Sequence, residues 1–218
     1  MNYTLAFLKK WGFNEIIINL HHHPQSIKEE LGDGSQLGLQ ISYSDEPEIL
    51  GTGGGIKKVE GFFPKNTFLV INCDILVDFD LNGAMDFHQK KKALATMVLR
   101  SEENKDSYGV IEIDREGRIR QFLDKIPDES GQDLKQFMFT GIHIFEPEIF
   151  QYIPADIFSS INDTYIELIR KGKRVYGYQM EGYWVDLGTK DKYETVKREI
   201  EARPPTFISQ ELTRNPAG

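Results

Sequence analysis

Leu50-Gly51-Thr52-Gly53-Gly54-Gly55-Ile56-Lys57-Lys58 places four glycines in five residues between an apolar run, Leu39 to Tyr43, and a lysine-bearing amphipathic stretch. The pattern predicts a strand, a glycine-rich loop and a short helix from Ile56 to Phe63. Glycine lets backbone N–H groups approach a ligand with no side chain in the way. A helix N-terminus behind such a loop offers donors and a favourable dipole for an anion or the polar edge of a base. The stretch is not a Walker A loop, because no Gly-Lys-Ser/Thr closes it. Nor is it a GxGxxG fingerprint, because the third glycine is missing. Taken alone it equally describes a turn that packs a helix onto a sheet.

Working outward, the pattern alternates helices and strands. Upstream, Tyr3 to Trp11 carries a helical stripe of Leu5, Leu8 and Trp11, and Glu15 to Leu20 is a β-branched apolar run. Pro24 suits the first turn of a helix ending at Leu31. Downstream, Thr67 to Asn72 predicts a second buried strand, Leu81 to Lys91 a helix and Ala93 to Arg100 a strand. This rhythm argues for an α/β fold, a Rossmann-like open, mixed and mostly parallel sheet flanked by helices. Then the character changes. Tyr108 to Asp114, Arg118 to Leu123 and Phe137 to Phe145 read as antiparallel additions with turns between them. Helices over Pro147 to Ile153 and Asp163 to Arg170, a strand over Arg174 to Gln179, and a helix capped by Thr189 complete the domain. The domain is expected to span 1–203, with 204–218 a flexible, proline-punctuated tail. The chain opens in a helix, so the strand that usually leads such a domain into its first ligand loop is expected to be missing.

A chain of 218 residues, 39% hydrophobic and 28% charged, has the makings of one ordinary globular domain. Its net charge of −8 is spread along the sequence with no basic stripe, which argues against a nucleic-acid partner. A phosphate-bearing substrate would therefore need a metal ion or local positive charge. Cys73 is the single cysteine, so no intrachain disulfide forms. No run of about 18 apolar residues exists to cross a membrane. The expected compartment is the cytoplasm, and assembly as a homo-oligomer is compatible with the sequence.

Asn72-Cys73-Asp74 follows the carboxyl end of an apolar strand, where open α/β sheets bind ligands. A carboxylate there suits Mg2+, although an aspartate that starts a turn is the plain alternative. Asp186, in Gly182-Tyr183-Trp184-Val185-Asp186-Leu187-Gly188-Thr189, is a second candidate that also reads as a turn residue. Two carboxylates and a metal ion suit phosphoryl or nucleotidyl transfer. Lys125 follows Asp124 at a strand end, where it could meet a phosphate or simply be solvated. The run His21-His22-His23 alternates in direction on an extended segment, so a loop cluster explains it better than one metal site.

These pieces, in this order, resemble the sugar-1-phosphate nucleotidyltransferases, or NDP-sugar pyrophosphorylases, with a mannose-1-phosphate guanylyltransferase-like look. The matches are Asn19-Leu20-His21-His22, Leu31-Gly32-Asp33-Gly34-Ser35, Glu46-Pro47, Leu50 to Gly54, Asn72 to Leu76, Tyr108 to Ile111, Asp124 to Pro127, Thr140-Gly141-Ile142 and Gly182 to Thr189. The resemblance implies that Glu46, Leu50, Gly51, Thr52, Gly53 and Gly54 contact the nucleoside of a nucleoside triphosphate. It implies that Asp74 and Asp186 bind Mg2+. Gly109, Asp124, Thr140 and Gly141 would line the sugar pocket, and Lys125 would hold the sugar 1-phosphate. The implied reaction is Mg-assisted in-line attack on the α-phosphate, with pyrophosphate leaving. The resemblance also implies that a first strand and a cationic signature loop precede the opening helix of such proteins. Here they are not found, so a non-catalytic sugar-nucleotide-binding subunit or a truncated inactive fragment is the alternative expectation. Cys73, Asp124 and Thr140 stand where glycine, glutamate and asparagine are common in the family.

Overall fold

The computed structural model describes residues 1–63, 65–101, 110–123, 125–126 and 133–202. Helix α1 (Asn2–Lys10) buries Thr4, Leu5, Phe7 and Leu8 on one face. Strand β1 (Glu15–Leu20) pairs in parallel with β2 (Gln40–Asp45), Glu15 opposite Gln40. Between them α2 (Pro24–Leu31) starts on its proline, whose fixed φ and missing N–H cost nothing in a first turn.

The glycine stretch differs from its expected form. Helix α3 runs from Gly51 to Lys58, so the glycines form the helix itself rather than a loop before it, and a separate turn of 3-10 helix covers Glu60–Phe62. Glycine disfavours a helix by about 1 kcal/mol relative to alanine, so propensity placed the start too late. Packing contacts set the boundary instead, as described below.

Strand β3 (Phe68–Ile71) leads through a turn to β4 (Ile75–Asp78), a four-residue strand the sequence pattern did not separate. Helix α4 (Leu81–Lys90) is capped by Asp80, which accepts a hydrogen bond from Gly83 N (3.1 Å). Strands β5 (Ala95–Arg100), β6 (Ile111–Ile113), β7 (Ile119–Phe122) and β8 (Lys135–Phe145) follow. Pro147–Tyr152 is 3-10 helix. Helix α5 (Ile161–Arg170) is capped by Ser160, and β9 (Val175–Gln179), β10 (Tyr183–Asp186) and α6 (Lys190–Ala202) complete the order. None of the described helices is long and apolar enough to cross a membrane.

The eleven-residue β8 is the spine of the sheet. It pairs antiparallel with β3 and β5 along its second half and with β6 at its start. Strand β5 pairs in parallel with β9, and β4 pairs antiparallel with β10. The sheet is therefore mixed, because the return of β8 inserts an antiparallel strand between β3 and β5. Both faces are covered. Met97, Leu99 and Phe145 face one apolar cluster with Tyr165 and Leu168 of α5, while Val98, Ile142 and Ile144 face a second with Leu5 and Leu8 of α1. That double burial is why β5 reads as an unbroken apolar run.

Among the described residues β1 pairs only with β2, and β3 only with β8. The two strands instead face a cleft of about 670 Å3, lined by Glu15 to Asn19 on one side and Phe68 to Cys73 on the other. Leu5 and Leu8 of α1 and Ile56 and Val59 also line it.

Candidate functional site

Asp74 and Asp186 lie far apart in sequence and meet through strand pairing. Strands β4 and β10 align Asp186 with Ile75, and Leu187 N donates to the Asp74 carbonyl at 2.7 Å. Gly188 lies between the two carboxylates. A Cβ on Gly188 would sit 2.9 Å from Asp186 Oδ1 and 3.4 Å from Asp74 Oδ2. Glycine thus leaves open the space on which both oxygens converge. The Gly188 N–H donates to Asp186 Oδ1 at 2.7 Å, which fixes that carboxylate. Lys192 Nζ, in the first turn of α6, pairs with Asp186 Oδ2. No three metal-ligating side chains converge among the described residues. Two convergent carboxylates with an open space between them fit Mg2+, which takes oxygen ligands and fills its shell from water and phosphates.

A second layer holds this pair in place. Trp184 Nε1 donates to the Thr140 carbonyl (2.8 Å), and Arg100 Nη1 donates to the Trp184 carbonyl (2.8 Å) while its guanidinium lies over the Trp184 ring. Thr140 is buried, and its hydroxyl donates to the Val98 carbonyl at 2.7 Å, so it faces the sheet. Gly141 has φ of +84°, and a Cβ there would meet the Asn72 side chain at 2.9 Å. Only glycine adopts that backbone without strain and lets Asn72 close on it. The Asn72 N–H donates to the Gly141 carbonyl (2.9 Å), tying the turn that carries Asp74 to β8. Thr140 and Gly141 therefore belong to the frame of the carboxylate pair.

Glu46 is buried and bridged. Its Oε1 accepts from Asn19 Nδ2 (2.8 Å), its Oε2 from Leu50 N (3.1 Å), and Asn19 Nδ2 also reaches the Gly55 carbonyl (2.9 Å). This ties the end of β1 to the start of α3. The glycines of α3 admit the neighbouring 157–159 segment. A Cβ on Gly51 would lie 2.6 Å from Ser159 O, on Gly53 2.7 Å from Ser159 Oγ, and on Gly54 2.7 Å from Ile157 O. The Gly53 and Gly54 N–H groups, expected to be open to a ligand, both donate to the Ser159 carbonyl (2.8 and 3.3 Å). Ile161 N donates to Thr52 Oγ1 (3.0 Å). Glu46, Gly51, Thr52 and Gly55 line the cleft, whereas Leu50, Gly53 and Gly54 are turned toward the 157–161 segment.

Lys125 is exposed in the turn after β7 and forms no ion pair with Asp74 or Asp186 among the described residues. Gly109 and Asp124 lie outside the described residues. His21 Nδ1 shares a hydrogen bond with the Glu46 carbonyl (2.7 Å), and His23 precedes α2 in a left-handed turn. Two participants carry no sequence signal of their own: Ser159 reads as an ordinary loop serine, and Lys192 as one of many helix lysines. The signal for Gly188 was its place beside Asp186. At the floor of the cleft His143 is buried and shares a hydrogen bond with the Tyr165 hydroxyl at 2.7 Å. Burial pushes His143 down to about 3 and the Tyr165 phenol well above its usual range.

Residues 1–203 match the nucleotidyl transferase family. The chain is 35% identical over 217 aligned residues to a UTP–glucose-1-phosphate uridylyltransferase of Synechocystis sp., covering 93% of this chain and 55% of that protein. It is 32% identical over 195 residues to a mannose-1-phosphate guanylyltransferase of Mycobacterium tuberculosis, covering 88% and 53%. The chain thus spans about half the length of these curated relatives. Its fold matches the crystal structure of HddC from Yersinia pseudotuberculosis with a TM-score of 0.71 at 20% identity, over 91% of this chain and 84% of that one.

Proposed function

The chain belongs to the nucleotidyl transferase family, and from that premise we propose that it joins a nucleoside triphosphate to a sugar 1-phosphate. An oxygen of the sugar phosphate attacks the α-phosphorus in line, the bond to the bridging oxygen of the β-phosphate breaks, and pyrophosphate leaves. No covalent bond to the protein forms. The observation that carries this reading is the convergence of Asp74 and Asp186 on the space beside Gly188. Mg2+ held by these two carboxylates supplies charge neutralisation at the phosphates. Glu46, Gly51 and Thr52 at the cleft rim contact the nucleoside, with Leu50, Gly53 and Gly54 shaping the helix behind them. Gly109, Asp124 and the Thr140–Gly141 backbone line the sugar pocket, and Lys125 meets the sugar phosphate. The protein's own work is alignment, and we place it in the cytoplasm.

The test is pyrophosphate release with Mg2+ across the common nucleoside triphosphates and a panel of sugar 1-phosphates. Release is expected with one preferred pair, which names base and sugar together. Asp74→Ala and Asp186→Ala should each lower turnover by roughly a hundredfold or more with the fold retained. Unchanged turnover in either would remove the metal assignment. A second reading is binding of an NDP-sugar without turnover, since a diphosphate carries less negative charge than a triphosphate into a cleft that offers little to offset it. The cleft's described lining includes Glu15 and Glu46 and no lysine or arginine. Tight binding of an NDP-sugar with no pyrophosphate release would select it.

A further inference from the structure

The metal-binding pair has a cation of its own. Lys192 Nζ lies against Asp186 Oδ2, on the carboxylate whose other oxygen faces the space beside Gly188. The lysine is placed there by α6. Thr189 Oγ1 accepts from Lys192 N (3.3 Å) and the Thr189 carbonyl accepts from Tyr193 N (2.9 Å), so the first turn of the helix directs Lys192 back toward Asp186. Two carboxylates converging on one space repel each other, and an ammonium beside them offsets that repulsion. With the ammonium present the trio carries one net negative charge. With a divalent ion added it carries one net positive charge, the sign a triphosphate requires.

We propose that Lys192 is the resident counter-cation of the Asp74–Asp186 pair, so that a divalent metal enters by displacing an ammonium from Asp186. The inference rests on the metal reading of these two aspartates. It assigns Lys192 a role in setting metal affinity. The lysine holds the metal-free site together and lowers its avidity for the ion, and metal occupancy then depends on a phosphate ligand arriving as well.

The experiment is Mn2+ binding to the whole chain, followed by electron paramagnetic resonance of the free ion, without nucleotide. Lys192→Met should bind Mn2+ about fivefold more tightly than the unmodified chain, as expected for removal of a competing, partly exposed ion pair. Lys190→Met removes the same charge from the same helix turn at an exposed position and should change the affinity less than about twofold. In the absence of metal Lys192→Met should melt slightly lower, and Mn2+ should raise its Tm by more than it raises that of the unmodified chain. An equal or weaker affinity in Lys192→Met, or an equal gain in Lys190→Met, overturns the proposal. If Asp74→Ala and Asp186→Ala lose Mn2+ while Lys192→Met is unchanged, the metal reading stands and this inference falls. Mn2+ binding that survives both aspartate variants removes the metal reading and the inference with it.

Discussion

The sheet around β8 and the sheet around β1 are built from similar sequences and end in different states. In the first, β5 lies between β8 and β9 with both edges paired, and Ala95 to Leu99 are all buried. Along the cleft, β1 of the second sheet and β3 at the edge of the first each pair along one edge among the described residues, and Ile17, Ile18, Leu69, Val70 and Ile71 are only half-buried. A β-branched apolar run therefore reports the capacity to be buried, while pairing on both edges decides whether it is. The half-open region is also where Glu46 and Asn72 gather. Polar groups with ligand-binding chemistry need an approach, and a fully paired sheet offers none.

Truncation in the two regions gives the largest expected contrast. Met97→Ala removes a fully buried side chain from between paired strands and should cost about 2–5 kcal/mol. Ile17→Ala, whose side chain borders the cleft, should cost about 1 kcal/mol, because less contact is lost and the space is already open. Urea unfolding of both variants measures this. Equal costs would break the comparison and indicate that the cleft is filled in solution.

Acid should separate the regions next. His143 sits where β8 meets the cleft, and burial lowers it from 6.5 to about 3. The unfolded chain binds its proton near 6.5 while the folded chain does not. The unfolded state thus holds more protons in that window, and stability falls as pH drops. His143 contributes its full share above about 6.5 and loses roughly 1.4 kcal/mol per pH unit below it, until the folded histidine itself titrates near 3. Denaturation curves between these limits should flatten in His143→Gln. An unchanged slope would mean that His143 is hydrated through the cleft.

The sequence carried most of the strands and helices because apolar runs and caps are local. It did not carry β4, since the four residues Ile75-Leu76-Val77-Asp78 are too few to show a period, and pairing with β10 makes them a strand. It misplaced the start of α3 because glycine's low helix propensity is outweighed by the close approach of Ser159 and Ile157. Asp74 and Asp186 were each legible as acids at strand ends. Their convergence was not, because it depends on the β4–β10 register and on one glycine. Lys192 left no local mark, since its role exists only once α6 is docked.

The smallest expected effect concerns Thr140, where family resemblance implies a sugar contact and the structure turns the hydroxyl away. Its Oγ1 donates to Val98 O inside the paired sheet, and its carbonyl receives Trp184 Nε1 on the side of the carboxylate pair. Thr140→Ser keeps the hydroxyl and the carbonyl and loses one buried methyl group, so stability should fall by about 1 kcal/mol. The ratio of kcat/KM between competing sugar 1-phosphates should stay the same, because the sheet-facing side chain never meets the sugar. A changed ratio with little loss of stability would show the hydroxyl turning out of the sheet when substrate is bound. The line between the closed and half-open regions would then run through β8 at Thr140 rather than beside it.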